Sequence, residues 1–285
     1  MSISAERQKI LDNIEDYERR GLFDVDVAED PPTKPLDYTK VDYTYRRLST
    51  KLFAFLANRL GQAHFEGMLR RGEAVIREIR GQEHLEAIKG RGALITCNHF
   101  NPFDNYAVYK ALCPALGGRM LYKIIREGNY TSFGGFYGFL FRHCNTLPLS
   151  ASTAGMKHLL SAVSTLLARG EKILIYPEQA MWLNYRKPRP CKTGAFHLAA
   201  KNGAPVLPLF ITMSDTERLD PDGLPIQAYT IHILPPVFPK EALSQRENTA
   251  YMCRENGRLW KEAYESFYGE PLRYTTEGEV EICSI

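Results

Sequence analysis

From residue 91 onwards, short apolar runs alternate with stretches of helical periodicity. The apolar runs are ALITC (93–97), KILIYPE (172–178), APVLPLFITM (204–213) and YTIHILPPV (229–237). Helical patterns cover about 102–113 and 153–169, and AFHLAAKNG precedes the third run. Apolar strands separated by helices are typical of a parallel sheet that is covered on both faces. The pattern therefore predicts an α/β domain with a largely parallel core.

The ends of the chain have different patterns. Residues 5–20 are charged throughout and predict a short helix, whereas residues 24–46 are rich in proline and aspartate and predict a linker or extended arm. We therefore expect a helix and arm over residues 1–46 and one main domain over residues 47–285. After Pro239 the sequence predicts a long amphipathic helix and a polar tail.

The helix predicted near residues 47–62 contains LFAFLANRL and is more apolar than a solvated helix would be. Packing in the core is the favoured interpretation. The alternative is a helix that lies in a membrane interface.

Composition and charge exclude several classes of protein. The chain has 285 residues, of which 44% are hydrophobic and 24% charged, as expected for a globular protein with a sizeable core. A net charge of +3 is too small to indicate nucleic-acid binding. The sequence has neither a long apolar span nor an apolar signal segment, so we expect a cytoplasmic protein whose membrane contact is peripheral, at the inner face. The six cysteines form no C-x-x-C pair, which argues against a zinc site.

The segment NHFNPFD, residues 98–104, follows the first apolar run and has two interpretations. As the start of a helix, Asn101 would be the N-cap, Pro102 would take the first helical position and Asp104 the third. As a catalytic pair, Asp104 would hold one ring nitrogen of His99 and leave the other free to accept a proton. The first interpretation leaves His99 unexplained, and the spacing alone does not separate the two. No nucleophile elbow, nucleotide-binding loop or H-E-x-x-H motif competes with this pair.

Four blocks in order resemble the lysophospholipid acyltransferase superfamily, whose type members acylate glycerol 3-phosphate or 1-acylglycerol 3-phosphate. NHFNPFD is similar to the family's first block, N-H-x-x-x-x-D. The segment FGGFYGFLFRHCNTLPL (133–149) resembles the approach to the second block, and IYPE (175–178) the start of the third. GAPVLPL (203–209) is similar to the fourth, and the resemblance covers roughly residues 90–215.

The resemblance implies a glycerol-3-phosphate acyltransferase-like fold, with a mixed, largely parallel sheet flanked by helices. It implies acyl-CoA or acyl-carrier protein as co-substrate, with no bound cofactor and no metal. His99 would be the general base and Asp104 its orienting partner. Asn98 of the first block, and Tyr176, Pro177 and Glu178 of the third, would bind substrate.

Two blocks depart from the family pattern. The second normally closes with an acidic residue and an arginine, where this chain has about Ser150 and Ala151. The third normally continues Gly-Thr-Arg, where this chain reads QAMW from Gln179. Both departures remove an arginine that could bind the acceptor's phosphate.

The segment WLNYRKPRPCK, residues 182–192, offers a possible compensation. It contributes four candidate binding residues, Arg186, Lys187, Arg189 and Lys192. These side chains could replace the missing arginines, or the segment could be a solvated loop. Arg142 is a further candidate for substrate binding. The preceding FGGFYGFLF could belong to the core, line an acyl tunnel or enter a membrane interface.

The sequence therefore predicts an O-acyltransferase that transfers a fatty acyl group to a hydroxyl of a lysophospholipid or glycerol-phosphate-type acceptor. The partners would be this lipid acceptor, an acyl thioester and a membrane surface, without nucleic acid. The altered blocks leave two alternatives. One is an acyltransferase for a non-phosphorylated acceptor such as a glycolipid, polyol or envelope sugar. The other is a non-catalytic lipid-binding protein on the same fold.

Overall fold

A seven-stranded sheet forms the centre of the computed structural model, which describes residues 3–283. The strands are β1 (Val75–Arg80), β2 (Ala93–Thr96), β3 (Tyr122–Ile125), β4 (Thr146–Pro148), β5 (Lys172–Ile175), β6 (Val206–Leu219) and β7 (Pro225–Ile233). The α-helices are α1 (Ala5–Arg19), α2 (Leu48–Arg71), α3 (Asp104–Leu116), α4 (Glu127–Thr131), α5 (Gly135–His143), α6 (Thr153–Ala168), α7 (Gly194–Lys201) and α8 (Gln245–Tyr268). Two 3-10 helices cover Tyr38–Lys40 and Gln82–Ile88.

The strand order is β1-β7-β6-β2-β5-β3-β4. Strands β6 and β7 pair antiparallel, and all other neighbours pair parallel. This arrangement confirms the predicted α/β fold with a mixed, largely parallel sheet.

Helices cover both faces of the sheet because its central strands are apolar on both sides. In β2, Leu94 belongs to the core beneath α6, α7 and α8, whereas Ile95 belongs to the core beneath α3. Successive side chains of a strand point to opposite faces, so one four-residue run contributes to both cores. Both residues are fully buried.

The four apolar runs predicted as strands are confirmed as β2, β5, β6 and β7. Three strands were not predicted. β1 is half exposed at the sheet edge, and β3 and β4 have only 4 and 3 residues, too few for a clear pattern. Helix α3 begins at Asp104, two residues after the predicted start, and continues to Leu116 through Pro114.

Helix α2 exposes most of its large apolar side chains, so the prediction that they pack in the core is wrong. They are Leu48, Leu52, Phe53, Phe55, Leu56 and Leu60. The buried face of the helix instead uses small residues, including Ala54, Ala57 and Gly61, because it packs closely against α5. Within residues 3–283, no helix combines the length and apolar character needed to cross a membrane.

The N-terminal helix and arm pack against segment 178–192, which follows β5. Ile10 and Ile14 of α1 and Phe23 and Val27 of the arm surround the buried Trp182. The C-terminal tail supports the same segment: the Ile282 carbonyl accepts a bond from Cys191 N–H at 2.6 Å. A disulfide between Cys253 of α8 and Cys283 holds this tail, a pairing that the cysteine spacing did not suggest.

Candidate active site

The carboxyl ends of β2 and β5 bring two of the sequence blocks together. The two strands pair in parallel, with Thr96 opposite Ile175, so the residues that follow them meet at one edge of the sheet. This edge is where α/β proteins place their binding sites. His99 follows β2 and Tyr176 follows β5, and their rings stack with centroids 4.0 Å apart and an interplanar angle of 16°.

His99 and Asp104 form the predicted pair. His99 Nδ1 lies 2.7 Å from Asp104 Oδ2. The Asp104 side chain is fully buried, whereas that of His99 is 19% exposed. A carboxylate without a proton can only accept, so it fixes the hydrogen of the imidazole on Nδ1. His99 Nε2 makes no hydrogen bond to any of the residues that the structure describes.

Tyr176 holds the other oxygen of Asp104. Its hydroxyl donates to Oδ1 at 2.7 Å, and Asn105 Nδ2 donates to the same atom at 3.1 Å. Burial, and then the negative charge of Asp104, raise the pKa of the Tyr176 hydroxyl well above its usual value, so it remains a donor. The buried carboxylate is therefore fixed in orientation from both sides.

The helix-start interpretation of NHFNPFD is also present in the structure. The Asn101 side chain accepts from Phe103 N–H at 2.9 Å, and Asp104 Oδ2 accepts from Asn101 N–H at 3.4 Å and from Phe100 N–H at 3.1 Å. One carboxylate thus closes the turn and binds His99. These N–H groups are occupied and are therefore not free to stabilise an oxyanion.

Glu178 lies beneath the pair and is 1% exposed. Its Oε2 accepts from His99 N–H at 3.0 Å and from Arg189 Nη2 at 2.7 Å, while Oε1 accepts from Arg189 N–H at 2.9 Å. Arg189 is also 1% exposed and stacks over Trp182, 4.9 Å from the ring centroid. The two residues form a buried ion pair that supports the backbone of His99, and neither lines the cavity.

Asn98 is also a scaffold residue in the structure. Its side chain accepts from Ile211 N–H at 2.8 Å and donates to Ile211 O at 3.0 Å, which joins the end of β2 to β6. Pro177, in contrast, lines the cavity, and its carbonyl accepts from Lys192 N–H at 2.8 Å.

The other basic candidates do not form a cluster. Arg186 pairs with Asp215 at 2.7 Å, and Lys187 pairs with Glu18 at 2.6 Å. Arg142 donates to the Phe133 carbonyl at 3.0 Å and lies beside a small second cavity. Of the basic candidates from the sequence, Lys192 lines the same cavity as His99.

That cavity has a volume of about 770 Å³ and extends from His99 between α2, α5 and α6. Its walls are largely aromatic and aliphatic side chains, among them Phe65, Tyr137, Leu140, Phe141, Met156 and Leu160. A cavity of this size and apolar character suits a fatty acyl chain. FGGFYGFLF therefore contributes to a cavity wall as well as to packing.

The positions that depart from the family pattern have structural roles. Ser150 is buried and bonds to Ser152, the N-cap of α6, and Ala151 N–H donates to Glu127 at 3.0 Å. Gln179 has a φ of 66° and lines the cavity. A left-handed backbone favours glycine, so this chain holds a polar side chain at some conformational cost where the family pattern has glycine.

The sequence did not identify Arg126, which follows β3 and lines the cavity. Its guanidinium pairs with Asp26 and, at 2.7 Å, with Asp30 of the N-terminal arm. Asp24 of the same arm pairs with Lys192 at 2.7 Å. The position of Arg126 directly after a parallel strand would have indicated a site residue, because α/β proteins bind ligands at this edge of the sheet. The strand β3, however, is too short to be predicted from the sequence.

Comparisons with known proteins agree with the sequence blocks. The acyltransferase family model matches residues 76–212. Among solved structures, the chain is similar to the 1-acyl-sn-glycerophosphate acyltransferase PlsC from Thermotoga maritima, with a TM-score of 0.50 and 18% sequence identity. The similarity covers 83% of this chain and 95% of that one. A search of curated proteins found no match.

The structural similarity shows a shared α/β fold, and the family match includes His99, Asp104 and Glu178. The sequence blocks, their order and the geometry that joins them at one sheet edge agree with that match. Residues 76–212 of this chain therefore match the acyltransferase family, and the site residues His99, Asp104 and Glu178 lie within that match.

Proposed function

We propose that this acyltransferase moves a fatty acyl group from an acyl thioester, either acyl-CoA or acyl-carrier protein, to a hydroxyl of a lipid acceptor, with His99 as general base. The observation that carries the proposal is the 2.7 Å contact between His99 Nδ1 and the buried Asp104, beside a large apolar cavity. Asp104 orients the ring, and Nε2 stays available for a substrate proton.

The reaction then needs no protein nucleophile. His99 Nε2 takes the proton of the acceptor hydroxyl as the oxygen attacks the carbonyl carbon of the thioester. The tetrahedral intermediate collapses, the carbon–sulfur bond breaks, and the proton on Nε2 passes to the leaving thiolate. An ester and a free thiol are the products, and His99 returns to its starting state.

The acyl chain would occupy the apolar part of the cavity. Each methylene that leaves water contributes about 0.8 kcal/mol, so a long chain can supply most of the donor's affinity. Glu178 and Arg189 would act as positioning residues. They bind the backbone of His99 and do not line the cavity.

Two acceptor classes are open to this site. A glycerol phosphate or lysophospholipid acceptor is the first candidate, because the similar Thermotoga maritima protein is a 1-acyl-sn-glycerophosphate acyltransferase. A non-phosphorylated acceptor is the second. The ion pairs of Arg126 and Lys192 with the arm support it, since these cations already have anionic partners.

We also propose that the exposed apolar face of α2 rests on a membrane. Leu48 and Phe55 are 83% and 63% exposed, and Lys51 and Arg59 are exposed on the same helix. Apolar and basic groups together favour an anionic bilayer surface. Asn58, Gly61 and Phe65 of α2 line the cavity, so lipid substrates could enter from the bilayer. The inner-face, cytoplasmic location stays a prediction.

Sedimentation with phosphatidylglycerol vesicles tests the membrane contact. Phe55→Ser with Leu60→Ser should reduce the bound fraction several-fold. Leu219→Ser is the matched control. Leu219 is 47% exposed on β6, and its neighbour Arg218 donates to the carbonyl of Arg71, at the C-terminal end of α2. This contact lies beyond the exposed apolar face, which ends at Leu60, so the loss of Leu219 should leave binding unchanged. Equal binding of the double variant and the wild type would exclude α2 as the contact.

A screen of hydroxyl acceptors with long-chain acyl-CoA tests the enzymatic function through release of thiol. Wild-type protein should release thiol in the presence of an acceptor, and His99→Ala should lower kcat by at least about 100-fold, the lower end of general-base effects. Equal rates for both proteins would contradict the mechanism. Acceptor-dependent release by the wild type would exclude a protein that only binds lipid.

A further inference from the structure

Three aspartates of the N-terminal arm pair with Arg126 and Lys192, two cations that line the catalytic cavity, and Asp30 lines the cavity itself. We propose that Asp24, Asp26 and Asp30 determine acceptor specificity by cancelling the positive charge of Arg126 and Lys192, so that the site selects a hydroxyl acceptor without a phosphate group. The inference rests on the proposed acyl transfer and concerns the chemical class of its acceptor.

The ion pairs occupy the groups that would otherwise bind phosphate. One terminal nitrogen of Arg126 binds Asp26, and the other binds Asp30 at 2.7 Å. The two ends of a guanidinium fork are what a phosphate or carboxylate engages. Lys192 Nζ binds Asp24 Oδ2 at 2.7 Å, and this contact lowers the pKa of the Asp24 carboxyl. Two cations thus face three carboxylates, and the local balance is negative.

Lys123 is the other lysine that lines the cavity, and it too is occupied. Its ammonium group donates to Leu121 O at 3.1 Å and to Cys144 O at 2.9 Å. Burial lowers the pKa of Lys123, which makes it a weaker source of positive charge.

The arm is held against the main domain, and its Asp30 lines the cavity. Trp182 Nε1 donates to Val25 O at 2.9 Å, and Asn13 Nδ2 donates to Val27 O at 2.9 Å. Further along, Lys34 N–H donates to Ser132 Oγ at 3.0 Å. Prolines at positions 31, 32 and 35 restrict the backbone between these anchors and the main domain. An arm held at both ends is suited to setting specificity.

The arm also lies beside the catalytic residues. Arg189 donates to the Phe23 carbonyl at 2.8 Å and to the His99 carbonyl at 3.2 Å, so one guanidinium joins the arm to the catalytic loop. Asp24 is the next residue after Phe23. Its partner Lys192 lines the same cavity as His99.

A phosphorylated acceptor would have to displace these carboxylates and leave an acid without its partner, whereas a neutral head group would displace nothing. Such a repulsive arrangement discriminates between ligands that differ in a single charged group. Two features of this chain therefore disfavour a phosphorylated acceptor. The arginines of the family pattern are absent, and carboxylates neutralise the cations Arg126 and Lys192 of the cavity.

The test compares 1-acylglycerol with 1-acylglycerol 3-phosphate of the same chain length, which carry a hydroxyl and a phosphate, respectively, at position 3, and it measures acyl transfer to the hydroxyl at position 2 that both share. In the wild type, kcat/KM should be higher for 1-acylglycerol. The variant Asp24→Asn, Asp26→Asn, Asp30→Asn should shift the ratio towards the phosphate by about ten-fold or more, because three repulsive charges are removed and two cations are released.

Glu29→Gln is the matched control. Glu29 lies in the same arm, but it pairs with Lys9 and its side chain is 87% exposed, so its loss should leave the ratio unchanged. Should the triple variant fail to fold, Asp30→Asn alone should still shift the ratio by about three-fold.

A wild-type preference for the phosphorylated acceptor, or a ratio unchanged in the Asn variants, would overturn the specificity role. His99→Ala in parallel separates this result from failure of the proposed function. If thiol release does not depend on His99 with either acceptor, the acyl-transfer mechanism fails, and the specificity proposal fails with it.

Discussion

The segment 176–192 has an inner side that supports His99 and an outer side that faces solvent, and both sides carry charged residues. On the inner side, Glu178 and Arg189 are each 1% exposed and bind each other at 2.7 Å. On the outer side, the side chains of Arg186 and Asp215 are 41% and 53% exposed and pair at the same distance. The two ion pairs therefore have the same N–O distance, although one is buried and the other is exposed to solvent.

The difference shows that burial decides the role of a charge more than its position in the sequence does. A buried charge without its partner costs several kcal/mol, whereas an exposed ion pair contributes about 0–1 kcal/mol. The inner pair must therefore remain intact for the loop to fold around His99. The outer pair can be lost with little effect, and neither pair presents a free cation to the cavity.

Breaking the inner pair should have the largest effect. Arg189→Met should lower the free energy of unfolding by about 3–5 kcal/mol, because it leaves the buried Glu178 carboxyl without its partner. Urea denaturation measures this quantity. Glu178→Gln in the Arg189→Met background should recover part of the loss, since it removes the carboxyl that lacks its partner. A loss below about 1 kcal/mol would mean that the pair is not buried as described.

Weakening the support of the proposed catalytic pair, His99 and Asp104, should have an intermediate effect. Tyr176→Phe removes the 2.7 Å bond to Asp104 and leaves the ring stacked on His99. A hydrogen bond to a charged group contributes about 1.5–3 kcal/mol, so we expect kcat to fall about ten-fold or more with KM little changed. Tyr43→Phe is the control, because this hydroxyl binds the Pro148 carbonyl, away from His99. Equal kcat losses in both variants would indicate a general packing effect.

Breaking the outer pair should have the smallest effect. Arg186→Gln should change the free energy of unfolding by less than about 1 kcal/mol, because the pair with Asp215 is exposed to solvent and screened by salt. Its kcat/KM for either acceptor should stay within about two-fold of the wild type. A large loss for a phosphorylated acceptor alone would instead show that Arg186 reaches the substrate.

The fold was predictable where the chain has long apolar runs. Strands β2, β5, β6 and β7 and helix α6 follow from them, and so does the parallel core. Strands β1, β3 and β4 were missed because they are short or half exposed and depend on their neighbours for stability. The exposed apolar face of α2 was not predicted, because the sequence pattern of an apolar helix is the same whether the helix packs in a core or lies on a surface.

In the candidate site, the geometry of His99 and Asp104 was predictable because both residues lie within one short loop. The pairing of Glu178 with Arg189 was not, since it depends on a turn through Gln179, with a φ of 66°, and Asn184, with a φ of 51°. The ion pairs of the arm with Arg126 and Lys192 join residues 96 to 168 positions apart, such as Asp26 and Arg126. No short sequence pattern predicts contacts between residues so far apart in the chain.

The fate of a labelled acyl chain tests the central claim most directly. Acyl-CoA with a labelled chain is mixed with the enzyme and a hydroxyl acceptor, and the label is followed by mass spectrometry in the lipid, free-acid and protein fractions. Transfer with His99 as general base predicts label on the acceptor hydroxyl with the wild type and at least about 100-fold slower transfer with His99→Ala. Label released mainly as free fatty acid, or held covalently on the protein, would contradict the account.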